Sequence, residues 1–207
     1  MASKKKFQGG LYPSVAVSDA VNTVAHTAAA MMAKNEHPDQ PAWLGFGLVA
    51  VAAAVGTARF GFSESLFAGA NEDLAALAAY VGLPLVGYTF GVLSGLWGAV
   101  DGTLLLTLTL AGAALSAVAR SLPAGAEEFV KIFLNVILFT LPTGHYGWKK
   151  YASSGDPSVL IAVIVFALAG VAIKPDRHRR LLGVRREDWF HYMIASASYV
   201  MAGGLRE

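Results

Sequence analysis

The sequence predicts an all-α bundle whose helices cross a membrane, and three observations carry that reading. Of 207 residues, 55% are hydrophobic and only 14% charged. Mean hydropathy is +0.52. Apolar runs of the ~20 residues needed to cross a ~30 Å hydrocarbon core recur about every 28 residues. Lipid leaves helices and closed barrels as the only spanning structures, and runs of this length are helical. The expected architecture is one transmembrane domain over residues 1–207 with spans at about 11–32, 42–62, 74–97, 103–119, 127–148, 159–173 and 187–205. An alternative has six spans and an interfacial C-terminal helix.

Each segment is bounded by its chemistry. The first stops at Lys34-Asn35-Glu36-His37-Pro38-Asp39-Gln40-Pro41, where two prolines and the charges end an apolar helix. Lys4, Lys5 and Lys6 precede this segment as they would a signal peptide, but Asp19, Asn22 and His26 make it a retained anchor helix. The second segment closes on Arg59, Ser63 and Glu64, and residues 60–70 are expected along the interface before the third begins near Leu74. Gly98-Ala99-Val100-Asp101-Gly102 is the only turn available between the third and fourth. The fourth stops at Arg120-Ser121-Leu122-Pro123. The fifth ends among Trp148, Lys149, Lys150 and Tyr151, residue types that belong at an interface. Asp156 and Pro157 read as N-cap and N1 of the sixth. The seventh mixes Trp189, Phe190, Tyr192 and Tyr199 with Ser196, Ser198 and two glycines, which is why an interfacial amphipathic helix is its alternative.

Positive residues collect in cytoplasmic loops. With the N-terminus inside, twelve of the sixteen Lys and Arg fall on the inner side, leaving Lys34, Lys149, Lys150 and Arg206 outside. The N-terminus is therefore expected on the cytoplasmic side and the C-terminus opposite. The charges are dispersed over short loops, which argues against nucleic-acid binding. The basic run from Lys174 to Arg186 is expected to serve as a topology determinant and to meet anionic lipid headgroups. No Cys is present, so disulfides, thiolate catalysis and cysteine zinc sites are excluded.

Asp19, Asn22, Thr23 and His26 fall at about 0, 300, 40 and 340° on a helix turning ~100° per residue. They form one polar stripe, and such groups are costly facing lipid, so the stripe is expected to face the bundle interior. The facing polar candidates are Asn135, His145 and Tyr146 in the fifth segment and Asp188 and His191 in the seventh. Gly87, Gly91 and Gly95 form a doubled GxxxG ridge for close helix packing, within the chain or in a homo- or hetero-oligomer. Leu83-Pro84-x3-Tyr88 recurs as Leu141-Pro142-x3-Tyr146, and Pro with Gly inside a span loosens backbone bonding that neighbours must restore.

Glu187 and His191 stand four apart on one helix face, a spacing that metal ligation uses. This stretch of fewer than twenty residues resembles the closing helix of the seven-span hydrolases that include alkaline ceramidases and adiponectin receptors, where two His four apart bind zinc. The resemblance implies hydrolysis of a lipid amide or ester, with Glu187 and His191 as ligands and Asp19 as a third ligand or base. The chain departs from the pattern at the first ligand, Glu187 in place of His. Depth along the helices, at ~1.5 Å per residue, also separates His191 from His26 and His145. It sorts the polar groups into an inner set, Asp19 with Glu187, Asp188 and His191, and an outer set, His26 with His145 and Tyr146. The leading expectation is a small transporter, channel or membrane-complex subunit without a cofactor, whose polar stripe provides the route. A scaffold or interaction protein is the competitor.

Overall fold

The computed structural model describes residues 11–98, 102–119, 121–176 and 178–206. Lys4, Lys5, Lys6, Asp101, Arg120 and Arg177, which enter the charge count or the turn assignments, lie outside the described residues. The described residues are all-helical apart from loops and one two-stranded hairpin. Among the described residues the nine α-helices are α1 (Pro13–Glu36), α2 (Ala42–Gly61), α3 (Glu64–Leu77), α4 (Leu83–Leu93), α5 (Gly102–Ala119), α6 (Ala124–Asn135), α7 (Leu141–Ser154), α8 (Ser158–Leu168) and α9 (Arg186–Gly203). Three π-helical turns, Ala78–Gly82, Val136–Thr140 and Ala169–Ile173, fuse α3 to α4, fuse α6 to α7, and extend α8. Seven rods result.

The rods run alternately up and down. The Tyr12 N–H donates to Phe60 O at 3.0 Å, pairing the start of α1 with the end of α2. The Ala42 N–H donates to Thr89 Oγ1 at 3.0 Å, and the Asn71 amide to Ala52 O at 3.2 Å, which sets the third rod antiparallel to α2. Lys149 Nζ reaches Ser94 O at 2.9 Å where α7 runs beside α4 in the same direction. Arg186 Nη2 bonds Ala172 O at 2.7 Å, so α9 runs back along the sixth rod. His37 Nε2 donates to Leu205 O at 3.1 Å, which lays the first and last rods parallel and closes a ring of six. The fourth rod, α5, packs outside the ring against the third.

Each π turn immediately precedes an X-Pro pair. Pro lacks an N–H and its ring clashes with the carbonyl four residues back, so the preceding residue bonds five back instead. Leu83 donates to Ala78 O, Leu141 to Val136 O and Lys174 to Ala169 O. The recurrent Leu-Pro-x3-Tyr pattern therefore marks two rods with the same break. Pro84 and Pro142 deprive Tyr80 O and Leu138 O of their α-helical donors, and each carbonyl faces a glycine on a neighbouring rod. A Cβ on Gly112 would lie 2.6 Å from Tyr80 O, and one on Gly87 would overlap Leu138 O. Only Cα–H groups fit there, and they are weak donors to such oxygens.

The third rod begins ten residues earlier than the sequence predicts. Residues 64–70, expected along the interface, are helical and continuous with the third rod, because no Pro or Gly pair interrupts 64–77 and Asn71 and Glu72 are held by Arg59. Pro157, not Asp156, is the N-cap of α8, though Asp156 Oδ1 still accepts the Ser158 N–H at 2.9 Å. That bond is the main reason the half-buried Asp156 carboxyl sits below its ordinary range. Gly95 lies beyond α4, at φ +70°, so the ridge has two helical members: Gly87 against Leu138 and Gly91 against the folded-back Trp97 ring. Among the described residues, two helices are long and apolar enough to cross a membrane, Ala42–Gly61 and Glu64–Leu93. Of the other rods, the fourth and sixth are shorter, and α1, the fifth rod and α9 carry more polar and charged residues.

The apolar core occupies one half of the ring. Ala29 and Ala33, Phe46, Val86 and Phe90, Phe139, Val159 and Val163, and Met201 and Leu205 bring all six rods together there. Gly45 and Gly47 offer a paired test of rod packing. A Cβ at Gly45 would overlap Gly82 O, whereas one at Gly47 meets nothing within 4 Å. Gly45→Ala is expected to destabilise by ~1–3 kcal/mol through overpacking. Gly47→Ala should stabilise by roughly 0.5–1 kcal/mol through helix propensity. Thermal unfolding in detergent reads both, and equal shifts of one sign would contradict the close approach.

Candidate functional site

The other half of the ring interior is polar, and α1 supplies most of it. Pro13 at the helix start sets φ for the first turn, and residues 13–36 run without a break to the Pro38 loop. Asp19, Asn22 and His26 are buried at 4%, 4% and 0% exposure, while Val17, Val21, Val24 and Met31 of the same helix are exposed. The helix is inside out relative to a water-soluble one.

Asp19 and Ser18 meet α9. Asp19 Oδ1 lies 3.3 Å from His191 Nδ1. Ser18 Oγ lies 3.0 Å from the same nitrogen, 3.1 Å from Asp188 Oδ1 and 3.0 Å from Val15 O. A hydroxyl has one proton and His191 Nδ1 holds at most one, so the contacts define two arrangements. With a proton on Nδ1, both Ser18 Oγ and Asp19 Oδ1 accept from it, and Ser18 donates to Asp188 or Val15. With Nδ1 bare, its one lone pair accepts from either the Ser18 hydroxyl or a protonated Asp19 carboxyl. The same atoms therefore hold the proton on either side of the Asp19–His191 contact.

A second cluster faces Asp19 from α2 and α3. Arg59, buried at 3% exposure, donates through Nη1 to Asn71 Oδ1 at 3.1 Å. Its Nη2 lies 3.3 Å from Glu72 and 3.9 Å from Glu64. Gly56 is the window between the clusters. A Cβ there would overlap the Asp19 carboxylate and lie 3.2 Å from Asn71 Nδ2.

The polar face continues along α1 with atoms that find no protein partner among the described residues. His26 Nδ1 lies 2.9 Å from Asn22 O, so it carries the proton of a neutral ring and leaves Nε2 a buried acceptor. Nε2 is without a partner, as are Asn22 Oδ1, Ser198 Oγ on α9 and Thr143 Oγ1 on α7. The α1–α9 pairing is offset by 170 residues at Ser18–Asp188 and by 168 at His37–Leu205. Ser198 therefore stands opposite residues 28–30, about one turn beyond His26. Phe46 lies against the His26 ring, with centroids 6.3 Å apart, where the apolar half begins.

Of the residues singled out in the sequence, the structure unites Asp19, Asp188 and His191 and buries Asn22 and His26 on the same face. Thr23 is half-buried and bonds back to Asp19 O at 2.9 Å. The expected outer set does not assemble. His145 is exposed, and Tyr146 donates to Gly204 O at 3.0 Å beside Phe90. Asn135 bonds Lys131 O within its own helix. The stripe faces α2 and α9, whereas the fifth and seventh segments were expected opposite it. Among the described residues no three His, Asp or Glu side chains are placed to hold a metal ion, so Glu187, His191 and Asp19 do not assemble as the zinc ligands that the resemblance implies. Ser18, Gly56, Arg59, Glu64 and Asn71 were missed. Ser18 sits ~40° outside the stripe's edge at Asn22, and Arg59 reads in sequence as an ordinary end-of-span cation.

Compared with family models, curated proteins and solved structures, the chain has no match.

Gly56→Ala is expected to force Asp19 off its contacts and destabilise by ~1–3 kcal/mol. Gly69→Ala, where a Cβ meets nothing within 4 Å, should lack that steric loss. Ser18→Ala should lose ~1–3 kcal/mol by stranding buried Asp188 and His191 atoms. Unfolding of the three variants in detergent checks this, and a Gly56→Ala protein as stable as wild type would contradict the Asp19 placement.

Proposed function

We propose that the protein is a small multi-pass integral membrane protein whose seven rods cross the bilayer, with the N-terminus cytoplasmic and the C-terminus outside. It acts as a proton-linked transporter or channel, alone or as a subunit of a membrane complex. One observation carries the membrane reading: α1 buries Asp19, Asn22 and His26 and exposes Val17, Val21, Val24 and Met31. In water both choices oppose folding; in lipid both favour it. Exposed apolar side chains on the other rods, such as Val51, Leu66, Leu110, Phe129, Ile164 and Val171, extend the same belt. The alternating rod directions and the twelve-to-four distribution of Lys and Arg support seven crossings.

The transport reading rests on the Asp19–His191 contact and the row of unpartnered polar atoms beyond it. Intramembrane ionisable groups mark ion and proton routes by default. Protons enter at the inner end, where Asp188, Ser18, His191 and Asp19 exchange them, and pass along Asn22 and His26. Phe46 and the apolar layer of Phe90, Phe139 and Met201 close the route on the outer side, so conduction or substrate passage requires the rods to part there.

Two measurements test this. Tags on both termini, probed in oriented vesicles, should be accessible from opposite faces; both on one face would remove α9 as a span. In liposomes carrying a pH-sensitive dye, wild-type protein should dissipate an imposed proton gradient. Asp19→Asn and His26→Ala should each slow that decay by about a hundredfold, the usual worth of one positioned proton-transfer group. Unchanged flux in both variants would defeat the route.

A further inference from the structure

The connection from the sixth rod to α9 is built around residues that its own backbone disfavours. It is an antiparallel hairpin in which Arg180 pairs with Arg185 and Leu181 with Val184. Leu182 and Gly183 make the turn at φ +52° and +81°. Positive φ at both central positions is the type I′ geometry that Asn-Gly satisfies best, and a Leu Cβ crowds its own backbone there. Leu182 is also 86% exposed. Backbone conformation and water both oppose a leucine at this tip, and strain of this kind persists where function rewards it. Lys174, at φ +51°, is the other non-glycine residue with positive φ among those described, and it begins the same segment.

The hairpin is held in place rather than loose. Arg185 lies over the Tyr12 ring at 4.8 Å, Arg186 bonds Ala172 O, and Trp189 Nε1 donates to Leu181 O at 3.0 Å. Six Lys and Arg against one acidic residue, Asp176, lie between 174 and 186. Arg179 and Arg180 remain exposed on either side of the strand start, and one guanidinium has more N–H donors than Asp176 or Gly183 O engages.

We propose that this hairpin is a built anchor for anionic lipid. Leu182 and Leu181 enter the acyl boundary of the inner leaflet, and Arg179 and Arg180 take lipid phosphates with their planar donor pairs. The proposal rests on the membrane reading, since the hairpin must stand at the headgroup plane where the sixth rod and α9 enter the bilayer. Opposite charge and an apolar tip at that level select an anionic bilayer surface as the occupant.

The chain has no Cys, so single labels are clean. A fluorophore on Leu182→Cys, in nanodiscs containing phosphatidylglycerol, should be quenched by acyl-chain spin-labelled lipid and shielded from aqueous iodide. In phosphatidylcholine alone the shielding should weaken. Arg179→Gln with Arg180→Gln should lower the preference for phosphatidylglycerol by roughly fivefold per arginine. A label on Ile164→Cys, an exposed position of α8, reports whether the rods sit in lipid at all. Iodide access at 182 with lipid quenching at 164 overturns the anchor and leaves the membrane reading standing. Iodide access at both positions overturns both.

Discussion

A carboxylate buried on the first helix constrains most of what surrounds it. Asp19 needs hydrogen-bonding neighbours on every side, because an unpaired polar group in a low-dielectric interior costs several kcal/mol. His191, itself held by Ser18, meets it from the α1–α9 seam, and Gly56 gives up its side chain so that Asn71 and Arg59 approach from α2 and α3. The seam is also where the ring closes, since α1 and α9 are first and last in the chain. Closure and the polar site are therefore one structural requirement.

The opposite half of the ring is solved by backbone rather than side-chain chemistry. On the proposed membrane reading, lipid offers no hydrophobic drive between helices, so close packing must bind the rods. The prolines at 84 and 142 widen two rods by one π turn each, and the oxygens they release lie on glycines of adjoining rods. The same device makes the third and fifth rods neighbours running in one direction. Phe46, Phe90, Phe139 and Met201 then fill the space between six rods on the far side of the polar half.

Helix phase made the Asp19–Asn22–His26 stripe legible, because α1 is unbroken and ~100° per residue holds along it. Partners were not legible in the same way. Ser18 meets Asp188 across 170 residues, and no local pattern announces that. His145 escaped for a different reason: the π turn at 136–140 adds about one residue, so side chains beyond it lag by ~100° against a regular wheel. Asn71-Glu72-Asp73 resembled a loop because charges end apolar spans, yet Arg59 lets the helix run through them. Seven rods were readable from hydropathy; their closure into six around a polar half, with α5 outside, depended on contacts between distant segments.

Whether Asp19 and His191 work as one proton-handling unit is decided by a double-mutant cycle on proton flux. Asp19→Asn and His191→Gln are compared singly and together in the same liposomes, with thermal stability measured alongside. A shared unit predicts that the double variant is no slower than the slower single one, because removing either partner already removes the function. Losses that multiply, or unchanged flux with stability alone reduced, would make the pair a packing contact and nothing more.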